Sequence, residues 1–145
     1  MHKLMRIIFA AVAIFLAGIC NAAQDCSDID AQAAGTATGS MKTWSDIYSG
    51  FQHYGHCDDG GIAEGFSEAV VHLMASQWDS LPQAATLAKK DPSFRVFLLI
   101  HIDATADTNE LRKIEKFSQF QCAAQLREFC TAIQASAKQA VSESP

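Results

Sequence analysis

From Thr43 onward, apolar side chains recur every three or four positions, the spacing of helices with one buried face. Trp44, Ile47, Tyr48, Phe51 and Tyr54 form the first series, with Thr43 placed as N-cap and Gly55 as its end. A second series starts at Asp59 or Gly60 and runs to Trp78. It has two apolar faces, one of Ile62, Phe66, Ala69, Val70 and Leu73, the other of Val71, Met74 and Trp78. A helix that is apolar on two sides is packed on both, so this one is expected at the centre. Gly65 within it lowers helix propensity and predicts close approach of another backbone.

Punctuation is dense after Trp78. Asp79 or Ser80 caps a short helix with Pro82 in its first turn, carrying Leu81, Ala85 and Leu87 and ending at Lys89 and Lys90. Asp91 caps the next, with Pro92 at its first position. The run FRVFLLIHID that follows would also suit a buried strand. The Asp-Pro start, and the face shared by Phe94, Phe97, Leu98 and His101, favour a helix. Asp107 to Glu110 has the form of a capping box, opening a helix with Leu111, Ile114 and Phe117 inward. The last helix is expected from about Ala124 to Ala140, with Leu126, Phe129, Cys130 and Ile133 on one side. Residues 31–41, AQAAGTATGSM, are small and aperiodic and read as a flexible lead-in. The expected fold class is therefore all-α: one compact domain of five or six short helices over residues 43–140. A flexible arm (23–42) precedes it and a frayed tail (141–145) follows.

A different pattern opens the chain. Lys3 and Arg6 precede an apolar run from Ile7 to Ile19, and small residues follow at Cys20, Ala22 and Ala23. This is the order of a secretory signal peptide, residues 1–22, with cleavage after Ala22. The run is shorter than the roughly 20 residues a membrane span needs. Export changes the composition. Five cysteines become four, Cys26, Cys57, Cys122 and Cys130, an even set in an oxidising compartment. Two disulfides are expected, each contributing about 2–4 kcal/mol. Cys122 and Cys130 cannot bond within one continuous helix, where eight residues rise roughly 12 Å. With Cys122 in the loop before the last helix they could close a local turn, leaving Cys26 to pair with Cys57. That pairing is preferred, and the other two connectivities stay open. Removing Lys3 and Arg6 leaves 9 basic against 16 acidic residues, a formal charge of −7. Such a chain has no electrostatic claim on nucleic acid or on an anionic membrane, and suits a cationic protein partner. The implied location is periplasmic or secreted.

Candidate chemistry crowds into HYGHCDDGGIAEGFSEAVVHL, residues 53–73. His53, His56, Cys57, Asp58 and Asp59 are all possible zinc ligands, but Cys57 is expected in a disulfide and the two histidines do not obviously converge. Glu64, Glu68 and His72 share one helical face at i, i+4 spacing and read as a solvated stripe. Gly65 to Ala69 matches a loose GxSxA pattern, but a nucleophile elbow needs a buried strand before the serine, and DDGGIAE is none. Ser67 is expected mid-helix, its hydroxyl bonded back to a carbonyl. Cys57, Asp58, Asp59 and Gly60 are read as a fastened helix start. The aspartates supply cap oxygens, Gly60 and Gly61 permit a tight turn, and Cys57 pins it. No catalytic residue, metal ligand or cofactor is assigned.

The series Trp44, Cys57-Asp58-Asp59-Gly60, Glu64-Gly65-Phe66-Ser67-Glu68, Trp78 and His101-Ile102-Asp103 resembles a group of small exported proteobacterial helical proteins, over roughly residues 43–135. That resemblance implies export and a helical fold and assigns no catalytic residues. In size, export signal, helicity and disulfide use the chain is also similar, as a class, to periplasmic immunity proteins against type VI secretion amidases. The function expected is a small exported binding protein, in that case an inhibitor of a secreted effector enzyme, with Trp44, Tyr48, Tyr54 and Trp78 as possible interface aromatics. The rival is a metal-binding protein or hydrolase using His53, His56, Asp58, Asp59, Glu64 and His72.

Overall fold

The computed structural model describes residues 25–145, so the expected signal peptide lies outside the described residues. Seven α-helices follow one another, with no strand among the described residues. They are α1 (Asp28–Thr38), α2 (Trp44–Tyr54), α3 (Gly60–Ser76), α4 (Leu81–Lys90), α5 (Pro92–Ile100), α6 (Thr108–Phe120) and α7 (Arg127–Glu143). Short 3₁₀ turns at Gly55–Cys57, Trp78–Ser80 and Ala124–Leu126 lead into α3, α4 and α7. The all-α expectation holds, with seven helices in place of five or six.

The additional helix is α1, in the stretch read as a flexible lead-in. Its apolar face is built from alanines, which give no strong period, yet alanine is the best helix former. Ser27 caps it, accepting from the Asp30 amide at 3.1 Å.

Starts and stops elsewhere follow local chemistry. Thr43 and Asp46 form a reciprocal capping box on α2. The Lys42 amide also donates to Asp46, and it, first, and then the Thr43 side chain hold the Asp46 carboxyl below the usual range. Asp91 caps α5 by accepting from the Ser93 and Phe94 amides, so the rival strand does not form. Asp107 caps α6 through the Asn109 and Glu110 amides. Glu110 does not complete the expected box, because its carboxylate turns across to His72 on α3. Ser80 gives α4 no side-chain cap; its hydroxyl donates to the Gln77 carbonyl and accepts from the Trp44 indole at 2.7 Å. The α7 helix starts at Arg127, after the 3₁₀ turn, and reaches Glu143, into the tail expected to fray.

Helix α3 is central, as its two apolar faces require. Phe66, Val70, Val71, Leu73 and Met74 are fully or almost fully buried on it. Against it pack α1, α2 and α6, while α6 and α7 form the most extensive helix pair. Aromatic rings from α2, α3 and α5 fill one end of the core. Tyr48 meets Phe94 edge-on at 4.9 Å between centroids, and Phe66 meets Phe97 edge-on at 5.0 Å. Burial, with the Asp91 carboxylate next to it, raises the Tyr48 phenol above its usual value. Trp44 and Trp78 are core residues, and their indole N–H groups are satisfied by Ser80 and by the Gln121 carbonyl.

The approach anticipated at Gly65 is made by Thr38 of α1, and by its side chain. A Cβ on Gly65 would stand 2.8 Å from the Thr38 Cβ. Gly60 has φ +51°, a left-handed conformation that suits glycine and lets the chain turn sharply into α3. Both preferred disulfides are present: Cys26–Cys57 ties the segment before α1 to the turn before α3, and Cys122–Cys130 closes the α6–α7 connection. Cys122 lies outside the helices, which brings its Cα within 6.2 Å of that of Cys130.

Candidate functional site

Polar chemistry gathers on two sides of α3. The inner set was not read from the sequence. Ser67, midway along α3, donates its hydroxyl hydrogen to Asp103 Oδ2 at 2.5 Å and lies 2.9 Å from His101 Nδ1. The other ring nitrogen, Nε2, lies 3.0 Å from Asp58 Oδ2. The four residues form a chain, Asp58–His101–Ser67–Asp103, joining the segment before α3, the middle of α3 and the turn after α5. The expected back-bond from Ser67 to a carbonyl is replaced by these contacts.

Local structure explains each position. His101 is the C-cap of α5, still on the inward face begun by Phe94 and Phe97, and its ring lies 4.2 Å from that of Phe97. Two residues on, Asp103 Oδ1 accepts from the Thr105 amide and hydroxyl, which fixes the carboxylate and leaves Oδ2 for Ser67. Only Asp59 serves as N-cap of α3, accepting from the Gly60 amide at 2.8 Å. Asp58 therefore departs from its expected capping role and turns inward, next to the Cys57 bridge. Its Oδ1 is buried with no protein hydrogen-bond partner.

Proton accounting defines what the chain can do. Ser67 has one proton and gives it to Asp103, so it can only accept from Nδ1–H. Nε2 then faces a carboxylate oxygen, and that contact is a hydrogen bond only with a proton between them. Partial burial pushes the Asp103 carboxyl upward. The hydrogen bonds from Ser67 and Thr105 and the charge of His101 outweigh that and hold it below the usual carboxylate range. A serine nucleophile needs an approachable oxygen whose proton passes to a base. Here Ser67 is 1% exposed, His101 is 3% exposed, and the hydroxyl proton is committed to a carboxylate. The residue types are those of a hydrolase; the arrangement is that of an internal joint.

The outer set is the stripe anticipated from spacing. Glu64, Glu68 and His72 are exposed. They line one wall of a cleft of about 550 Å³, with Thr105, Asp107, Asn109, Glu110 and Lys113 opposite. His72 Nδ1 lies 2.9 Å from Glu110 Oε1.

The other crowded residues scatter. His53 Nδ1 is 2.7 Å from the Ser49 carbonyl, within its own helix. His56 is half-buried, with Nε2 3.6 Å from Asp30 Oδ2, beyond hydrogen-bond length. A hydrogen bond from Ser27 chiefly lowers the Asp30 carboxyl; burial opposes it, and the nearby His56 adds to the lowering. Among the described residues, no three or more His, Cys, Asp or Glu side chains converge to hold a metal ion. No described helix is long and apolar enough to cross a membrane. Of the aromatics considered for an interface, both tryptophans are buried and Tyr48 and Tyr54 are partly so. Among the described residues, the large apolar side chains on the surface are Ile29, Val96, Ile100 and Phe120.

Fold and site together define a disulfide-bonded helical domain with a largely buried polar joint and an acidic surface cleft. No protein-family model, curated protein or solved structure matches the chain.

Proposed function

We propose that the chain is a small exported binding protein, periplasmic or secreted, whose partner is another protein with a cationic surface. One observation carries the reading: Ser67 and His101 are buried in the interior, while the open cleft beside α3 is lined by Glu64, Glu68, Asp107 and Glu110 against a single lysine, Lys113. Glu64 and Glu68 face water without an internal partner, and with Asp107, which caps α6, and Glu110, which meets His72, they create a negative field that speeds encounter with a positive surface. The two disulfides and the formal charge of −7 after removal of residues 1–22 fit an exported protein of this kind. A cationic, cell-wall-acting effector enzyme is a partner of the right chemistry, and blocking it would make this chain its immunity protein.

The test is crosslinking in intact cells, purification of the captured partner, and titration of that partner against wild-type protein and a Glu64→Lys/Glu68→Lys variant. Binding that weakens at least about tenfold in the variant, and again between 50 and 300 mM salt, supports the reading. Binding indifferent to both changes, or a purified protein that retains stoichiometric zinc or copper through dialysis, removes it.

A further inference from the structure

We propose that the Cys26–Cys57 disulfide is a redox-sensitive latch: it holds helix α1 on a body, residues 41–145, that stands without it, and its reduction releases α1.

The contact surface of α1 is unlike that of any other helix here. Only Ala34 and Thr38 on it are buried. Its one large apolar side chain, Ile29, is 80% exposed. Alanines bury little apolar area, so the hydrophobic hold on this helix is small. All the largest fully buried side chains, among them Trp44, Phe66, Phe94, Leu111 and Ile133, belong to α2 through α7. Close packing of Thr38 over Gly65 positions α1 without adding much buried surface. Beyond Thr38 the next residue sunk into the core is Met41, so the anchored chain resumes there. At the other end the remaining side-chain tie is the 3.6 Å approach of Asp30 to His56. The covalent bond is thus the main restraint on the N-terminal end of α1.

The two bridges differ in access. Cys26 is exposed, whereas Cys57 is 3% exposed. In the second bridge, Cys130 is buried and Cys122, in the loop between α6 and α7, is half-buried. A dithiol reductant can therefore attack at Cys26. Its thiolate bonds to Cys26 Sγ, the Sγ–Sγ bond breaks, and the electron pair leaves on Cys57 Sγ, which takes up a proton. The reductant's second thiol, as thiolate, then displaces Cys26 from the mixed disulfide, and Cys26 is protonated in turn. Two electrons have passed to the protein, and the reductant departs as its own disulfide. Untied, α1 is a short alanine-rich helix with a small docking surface, marginal in water. Nothing in this latch depends on what the protein binds.

Hydrogen exchange on the exported protein, oxidised, under mild dithiothreitol, and as a Cys26→Ser/Cys57→Ser variant, tests it. The expected result is exchange at Ala31 to Thr38 faster by about 100-fold or more in the reduced and serine forms, with Phe66 to Met74 within roughly threefold of the oxidised protein. Elastase, which cuts beside small residues, should then cleave within 31–38 only in those forms. Unchanged protection of α1 overturns the latch. So does uniform loss of protection or failure of the serine variant to fold, since either would make the bridge a staple for the whole domain.

Discussion

Two faces of α3 carry the same functional groups with opposite consequences. On the outer face Glu64, Glu68 and His72 stand in water, and the one ion pair they make, His72 with Glu110, has its imidazole largely exposed. On the inner face Ser67 meets His101 and Asp103, and the ring continues to Asp58, in surroundings built by Phe66 and Phe97. Outside, water can replace any partner that leaves. Inside, a lost partner strands a charge or a donor in a medium where solvation is poor. The same imidazole–carboxylate contact is therefore incidental to folding on one side and integral to it on the other.

Removing the inner ring should produce the largest effect. His101→Leu keeps roughly the volume but leaves the Asp58 carboxylate and the Ser67 hydroxyl without the ring that joins them, and should cost about 3–5 kcal/mol in urea unfolding at neutral pH. A loss below about 1 kcal/mol would mean that water or movement compensates these groups, and the contrast between the faces would collapse. Ser67→Ala removes the middle link, leaving Nδ1–H and Asp103 Oδ2 unmatched, with an expected cost of about 1–3 kcal/mol. Because the two residues share one chain of bonds, the double variant should lose less than the sum of the singles. Strict additivity would show them to act separately.

Why spacing revealed one face and hid the other follows from particular residues. Glu64, Glu68 and His72 are four apart on one helix, so helical periodicity alone brings them together. Asp58 and His101 are 43 residues apart and Ser67 and Asp103 are 36 apart, and they meet only where Phe97 and His101, at the end of α5, pack on Phe66 midway along α3. A hint existed: His101 falls on the inward face with Phe94 and Phe97, and an inward histidine needs polar company. The double aspartate concealed the rest, since both residues suit a helix start and nothing local tells which one caps. The helices themselves were legible because proline, aspartate and glycine mark their ends. Helix α1 was not, because an alanine face carries almost no hydrophobic contrast. Distance along a helix and counting favoured one cysteine pairing and left two others open; the fold selects the favoured one by placing Cys122 in a loop and Cys26 beside Cys57.

A smaller effect distinguishes the faces through pH. Asp103 is held below the usual carboxylate range in the folded protein by Ser67, Thr105 and His101, despite partial burial acting the other way. A folded-state value below the unfolded one means the contribution to stability is present above the unfolded value, about 3.9, and is lost as pH falls through the folded one. The stability gap between wild type and Asp103→Asn should thus be widest near pH 5–6 and shrink toward pH 3. A gap that stays constant on acidification would show that Asp103 acts by shape alone.

The smallest effect belongs to the outer pair, and its smallness is the prediction. Glu110→Gln retains the length of the side chain and removes its charge, leaving His72 to water. Exposed ion pairs typically contribute about 0–1 kcal/mol, and salt screens what they contribute. Glu110 also lies in the first turn of α6, where its charge favours the helix dipole, so part of any loss would be independent of His72. A double-mutant cycle with His72→Asn separates the two contributions. The coupling should be under about 0.5 kcal/mol at 0.15 M salt and fall further at 1 M. Coupling as large as that between His101 and Ser67 would place the outer contact in a drier setting than its exposure allows, and the division between the two faces of α3 would no longer rest on water.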